Sequence, residues 1–124
     1  MVRAVGLDIV DTKRIAHLLA QHDRRFVERV LGPDEQAMLA GRVDRAQFVA
    51  GRFAAKEAII KALADILPTR PPFRQIQIIN DPGGKPVTKF DEPLARELAA
   101  CRFLLSISHE RSTAAAVAIL TDAP

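Results

Sequence analysis

Three places in this chain set a chemically useful side chain where a ligand can reach it: Asp8, the pair Glu57 and Lys61, and His109. Asp8 stands in Gly6-Leu7-Asp8-Ile9-Val10 towards the end of an apolar strand, so its carboxylate is expected near where strand and helix meet. Glu57 and Lys61 are four apart in a helical stretch and share one face. One Asp and one Glu from separate elements can hold a magnesium ion, which keeps water and phosphate oxygens as its other ligands. Each residue also has a plainer role. Asp8 or Asp11 can simply cap the following helix, and Glu57–Lys61 can be a solvated pair worth a few tenths of a kcal/mol. Spacing alone leaves both open.

His109 stands in Ser106-Ile107-Ser108-His109-Glu110, at a turn after an apolar run. His17 and His22 are five apart, a poor match to the i,i+4 pairing of helical metal sites, and receive no role. Gly83-Gly84-Lys85-Pro86 offers backbone N–H groups and a cation to a phosphate, yet fits neither the Walker pattern nor the dinucleotide fingerprint. No Gly-x-Ser-x-Gly elbow occurs.

These residues need elements to hold them. Residues 1–10 alternate roughly and carry β-branched side chains, which predicts a strand ending at Asp8 to Asp11. Thr12 suits the cap of a helix with Ile15, Leu18 and Leu19 as its stripe, and a second short helix fits 26–31. Gly32-Pro33 breaks it, and Asp34 with Glu35 opens a third helix through Leu39. Residues 44–67 carry the longest helical signal. There Phe48, Val49, Phe53, Ile59, Ile60, Leu63, Ile66 and Leu67 make a broad apolar face. Ala50, Ala54, Glu57, Ala58, Lys61 and Asp65 lie opposite, and the small alanines predict open room around the two charges. Arg52 sits oddly on the apolar side. Strands are predicted at 75–80, 87–90, 103–108 and 113–120, with a hairpin turn at 81–86 and a short helix at 93–100. The sum is one α+β domain, a small antiparallel sheet packed against a long central helix.

Composition trims the possibilities. The chain has 124 residues, 48% hydrophobic, with a net charge of +3, which suits a single domain and does not by itself mark a nucleic-acid binder. Six Phe with no Trp or Tyr leave little surface for stacking bases. Cys101 is the only cysteine, so no intrachain disulfide or thiolate zinc cluster forms, in keeping with a reducing, cytoplasmic setting. No apolar run is long enough to span a bilayer, and Asp8 and Asp11 come too early for a secretory signal.

The combination is more specific than its parts. Gly6-Leu7-Asp8-Ile9-Val10 with Arg14-Ile15, then Phe26 to Leu31 with Glu35, resembles the opening of the holo-acyl-carrier-protein synthases, members of the 4′-phosphopantetheinyl transferase family. Phe53-Ala54-Ala55-Lys56-Glu57-Ala58-Ile59-Ile60-Lys61-Ala62 is similar to their central signature. Asn80-Asp81, Gly84-Lys85-Pro86, Ser106-Ile107-Ser108-His109 and Ala114-Ala115-Ala116 follow in the family's order. Two segments depart from it. Ala64 to Thr69 replaces a Gly-Thr-Gly-like segment, which puts the local shape around the pantetheine tail in question, and Gly32 stands where Thr is usual, a change that looks minor.

The resemblance implies transfer of the 4′-phosphopantetheine arm of coenzyme A to a serine of an acyl carrier protein, in support of fatty acid biosynthesis. It implies Asp8 and Glu57 as magnesium ligands, Lys61 as a charge on the same phosphates, and His109, Gly84, Lys85 and Pro86 near the nucleotide. Arg52 is a further phosphate candidate or a core residue that snorkels. For the general base, a metal-bound water and a carboxylate near the carrier serine both serve. Arg14, Arg24, Arg25 and Arg29 form a basic run suited to an acidic carrier, and the family implies a homotrimer with sites between protomers; the alanine-rich last strand suits burial there. Against this stand another magnesium-dependent nucleotide phosphotransferase, and a non-enzymatic basic module using the same arginines.

Overall fold

The computed structural model describes residues 1–124. Strand β1 (Val2–Asp11) leads into helices α1 (Thr12–Val30), α2 (Pro33–Leu39) and α3 (Arg45–Ala62). A 3₁₀ turn at Phe73–Gln75 precedes the hairpin β2 (Ile76–Asn80) and β3 (Pro86–Phe90), then α4 (Leu94–Glu97), β4 (Cys101–Glu110) and β5 (Thr113–Asp122). The long strands form an antiparallel sheet in the order β1-β5-β4, and β2-β3 pair separately. One cluster of 26 buried apolar residues joins sheet and helices. The expected α+β architecture is present.

Several local expectations change. The two helical pieces at the N-terminus are one helix, α1, kinked where His22 leaves helical geometry at φ −140°, ψ 40°. Its cap is Asp11, whose Oδ1 accepts from the Lys13 amide at 2.9 Å, and Thr12 is already helical. The central helix stops at Ala62 rather than Leu67, because the Leu63 amide bonds back to Ile59 and Ile60 and the chain turns. The helix expected at 93–100 shrinks to α4.

The largest correction concerns the alanine face of α3. Ala50, Ala54 and Ala58 are fully buried, so the room they leave is filled by the sheet. In register, Gly6 faces Ala118 and Leu105, Asp8 faces Ala116 and Ile107, and Val10 faces Ala114 and His109. Small residues on both partners let helix and strand nearly touch. A Cβ on Gly6 would lie 1.8 Å from the Ala58 carbonyl oxygen, which forbids any side chain there. Ala114, Ala116 and Ala118 serve this helix packing, so the alanines of the last strand are not what an external partner would cover. The opposite sheet face exposes Val5, Leu7, Ile9 and Leu104.

Candidate functional site

The close approach of β1 to α3 builds the acidic centre. Lys61 donates from Nζ to the Leu7 carbonyl at 2.8 Å and to Asp8 Oδ1 at 3.3 Å. Glu57 lies one turn earlier on the same face, about 6 Å along the axis, and is paired with Arg70 from the loop after α3. Asp8 and Glu57 are mostly covered, at 17% and 20% side-chain exposure, while Lys61 and Arg70 are half exposed. Two sheltered carboxylates therefore face solvent through two cations that can move.

No third His, Cys, Asp or Glu joins them to form a metal cage. Two carboxylate oxygens with the remaining positions left to water and phosphate is the donor set that magnesium tolerates best, so these residues fit that ion.

Arg52, His109 and the Lys85 turn make a second group. Arg52 is buried at 9% exposure, lies over the Phe48 ring at 4.4 Å, and donates to the Ile78 carbonyl and to Asn80 Oδ1, both at 3.3 Å. It is held in place by the hairpin rather than snorkelling free. Asn80 pairs with Pro86, so the Gly84-Lys85-Pro86 turn begins beside it. Asp81 Oδ1 accepts from the Gly83 and Lys85 amides at 2.9 Å, and Gly84 takes a φ of +86°. His109 packs on α3 where Gly51 leaves space; a Cβ there would be 2.7 Å from its Cε1. Burial holds the His109 pKa below the ordinary histidine value, Arg52 lowers it further, and Asp44 partly offsets both.

One chain does not bring the two groups together. Arg52 and Glu57 are five residues apart and project about 140° apart around the helix axis. Arg52 points to β2, and Glu57 points to the loop carrying Arg70.

The basic run divides as well. Arg25 and Arg29 line a groove of about 460 Å³ with Leu18, His22, Phe26 and Glu28, formed where α1 kinks. Arg14 is exposed on the same helix, and Arg24 pairs with Glu28, itself part of the groove lining, at 3.0 Å.

Two features had weak or no sequence signal. Glu35 and Lys56 form a wholly buried ion pair at 2.6 Å. Lys56 Nζ also donates to the Val30 and Phe73 carbonyls at 2.5 and 3.1 Å, and Glu35 accepts from the Gly32 and Ile78 amides at 2.9 Å. Burial pushes the Glu35 pKa up and the Lys56 pKa down, while their mutual attraction opposes both. This pair fixes the rotation of α3, and thereby where the next residue, Glu57, points. Arg70 carried only the weak signal of an arginine in a proline-rich loop.

A sequence profile of the 4′-phosphopantetheinyl transferase superfamily matches residues 4–119. A holo-[acyl-carrier-protein] synthase of Chlorobium chlorochromatii is 40% identical over 117 residues, covering 94% of this chain and 98% of the relative. The crystal structure of holo-[acyl-carrier-protein] synthase from Neisseria meningitidis superposes with a TM-score of 0.87 at 33% identity, over 98% of this chain and 99% of that one. The synthase from Bacillus anthracis, solved in complex with CoA (3′,5′-ADP), gives a TM-score of 0.81 at 32% identity, over 100% and 99% of the two chains. The chain belongs to the 4′-phosphopantetheinyl transferase superfamily and, within it, to the holo-[acyl-carrier-protein] synthases.

Proposed function

We propose that this enzyme moves the 4′-phosphopantetheine arm of coenzyme A onto a serine of an apo-acyl carrier protein, with magnesium, and releases adenosine 3′,5′-bisphosphate for the benefit of fatty acid synthesis. The observation that carries it is the close approach of β1 to α3, which brings Lys61 onto Asp8, with Glu57 one turn away on the same helix. The Bacillus anthracis relative with CoA (3′,5′-ADP) supports the donor. Asp8 and Glu57 would hold the ion, which when bound polarises the attacked phosphate and neutralises charge on the leaving one.

The chain's own part is positioning and charge. The serine oxygen forms the new bond to phosphorus, the bond to the nucleotide phosphate breaks, and the serine proton passes to a water or carboxylate. Lys61, anchored on the Leu7 carbonyl, presents a compact positive charge to the phosphate oxygens as charge shifts between them. Arg52, His109 and the Lys85 turn serve the nucleotide. Desolvation and Arg52 favour the neutral form of the His109 imidazole, which would bind by hydrogen bonding.

Arg14, Arg24, Arg25 and Arg29 receive the acidic carrier, with the kinked groove of α1 accepting its apolar side chains. The active form is a homotrimer. Two observations favour it: the exposed Val5, Leu7 and Ile9 of the outer sheet face, and the separation of the acidic and nucleotide groups on opposite flanks of α3. A neighbouring chain would bring its nucleotide group to this chain's carboxylates. Mass spectrometry of an apo carrier protein incubated with coenzyme A, magnesium and this enzyme tests the transfer. The carrier should gain one phosphopantetheine, and an unmodified carrier would overturn the assignment.

A further inference from the structure

Arg70 is the unexplained member of the acidic centre. It stands in a loop stiffened by Pro68, Pro71 and Pro72, its guanidinium lies 5.3 Å over the Phe73 ring, and it pairs with Glu57. It also lines a small cavity of about 230 Å³ with Ile60, Leu63, Leu67 and Pro68, so it stands between that cavity and the carboxylates. We propose that Arg70 is a phosphate-binding residue of this site, resting on Glu57 until a divalent cation takes that carboxylate.

The inference rests on the reading of Glu57 as a metal ligand. A cation bound there shares the carboxylate whose Oε1 now faces Arg70, and its double charge repels the guanidinium. An ion held there would leave coordination positions open to phosphate oxygens. A guanidinium already at Glu57 is then within a few ångströms of a phosphate, which its planar fork matches with two parallel hydrogen bonds. Arg70 thus exchanges one anion for another without leaving its loop. It should oppose metal binding when no phosphate is present, and favour the phosphate ligand once the metal is bound. A merely structural arginine would do neither.

Two ligands on three variants test this. Mn²⁺ binding without coenzyme A is read by electron paramagnetic resonance, and coenzyme A binding in the presence of Mn²⁺ and absence of carrier by calorimetry. Arg70→Ala should bind Mn²⁺ about threefold more tightly, the scale of an exposed ion pair. The same variant should bind coenzyme A about fivefold to tenfold more weakly, the scale of a charge-assisted contact. Arg74→Ala removes the same charge from an exposed, unpaired neighbour and should alter neither. Equal effects in the two variants would show a general field and overturn the proposal, as would tighter Mn²⁺ binding with unchanged coenzyme A affinity. Glu57→Gln separates the two levels of the argument. If it abolishes Mn²⁺ binding while Arg70→Ala matches the unaltered chain, only the role of Arg70 falls. If Glu57→Gln binds Mn²⁺ normally, the metal reading falls and takes Arg70 with it.

Discussion

Lys56 and Glu57 are consecutive on α3, and each belongs to an ion pair, but the two pairs are opposite in kind. Lys56 and Glu35 have no solvent exposure, and both of their charged groups are filled with backbone partners. Glu57 and Arg70 have one partner each in that contact, and Arg70 is half exposed. The first pair cannot exchange with anything without opening the core. The second is open to solvent on the Arg70 side, and under the proposed function an ion or a phosphate would replace it at little cost. One helical position of offset, about 100° of rotation, separates a buried pair from an accessible one.

The contrast breaks most visibly in stability. Lys56→Met strands Glu35 in the core and should cost about 3–5 kcal/mol in urea unfolding, whereas exposed pairs are worth about 0–1 kcal/mol. Changing Glu35→Leu as well should recover only part of that, because the Gly32 and Ile78 amides lose their acceptor. Equal stability in Lys56→Met and in Glu57→Gln would erase the distinction.

Effects on turnover sharpen the other side. Lys61→Ala should lower kcat about tenfold or more with both substrates saturating, since its charge acts on the transition state. A pure rise in KM for coenzyme A would mark it as a ground-state contact instead. Arg14→Glu should raise KM for the carrier several-fold and leave KM for coenzyme A nearly unchanged, with the difference fading in salt, as expected of exposed charges that steer encounter. Equal changes in both constants would remove α1 from carrier docking.

The smallest effect belongs to His109. Its pKa in the folded chain lies below the unfolded value, so the unfolded chain takes up the proton first as pH falls. The stability tied to neutral His109 is complete above about pH 6.5 and declines as pH drops through that value toward the lower folded one. His109→Gln should flatten the dependence of unfolding midpoint on pH below about 6.5. An unchanged slope would contradict the partial desolvation of that ring where it packs on Gly51.

What the residues disclosed in advance follows the same division. Asp8, Glu57 and Lys61 could be singled out as candidates because a carboxylate in an apolar strand and an i,i+4 pair leave a local signal, sharpened by the family pattern; the structure puts Lys61 on Asp8, three residues before β1 ends. The alanines around them misled, since a helical wheel cannot tell a face of small residues open to solvent from one pressed on a sheet. Gly6 held that information, but only its contact with the Ala58 carbonyl reveals it. Glu35 and Lys56 both stand in the family pattern, but their pairing was not legible because residues 21 apart carry no common period. Gly32, expected as a minor departure from Thr, is bound up with a distant residue. Any Cβ there would lie 2.6 Å from Gln77 Oε1, and that same oxygen accepts from the Asp34 amide at 2.9 Å, capping α2 where the residue at 32 has no side chain to do so. Compensation of this kind crosses from α2 to β2 and is invisible along the chain.

The account turns on Glu57 as a residue of chemistry rather than of structure. Transfer to an apo carrier by Glu57→Gln, followed by mass spectrometry at limiting magnesium and paired with a urea unfolding curve, addresses that most directly. The account predicts an unfolding midpoint close to that of the unaltered chain, together with near-complete loss of phosphopantetheine transfer. Transfer at the unaltered rate in a folded Glu57→Gln variant would contradict it.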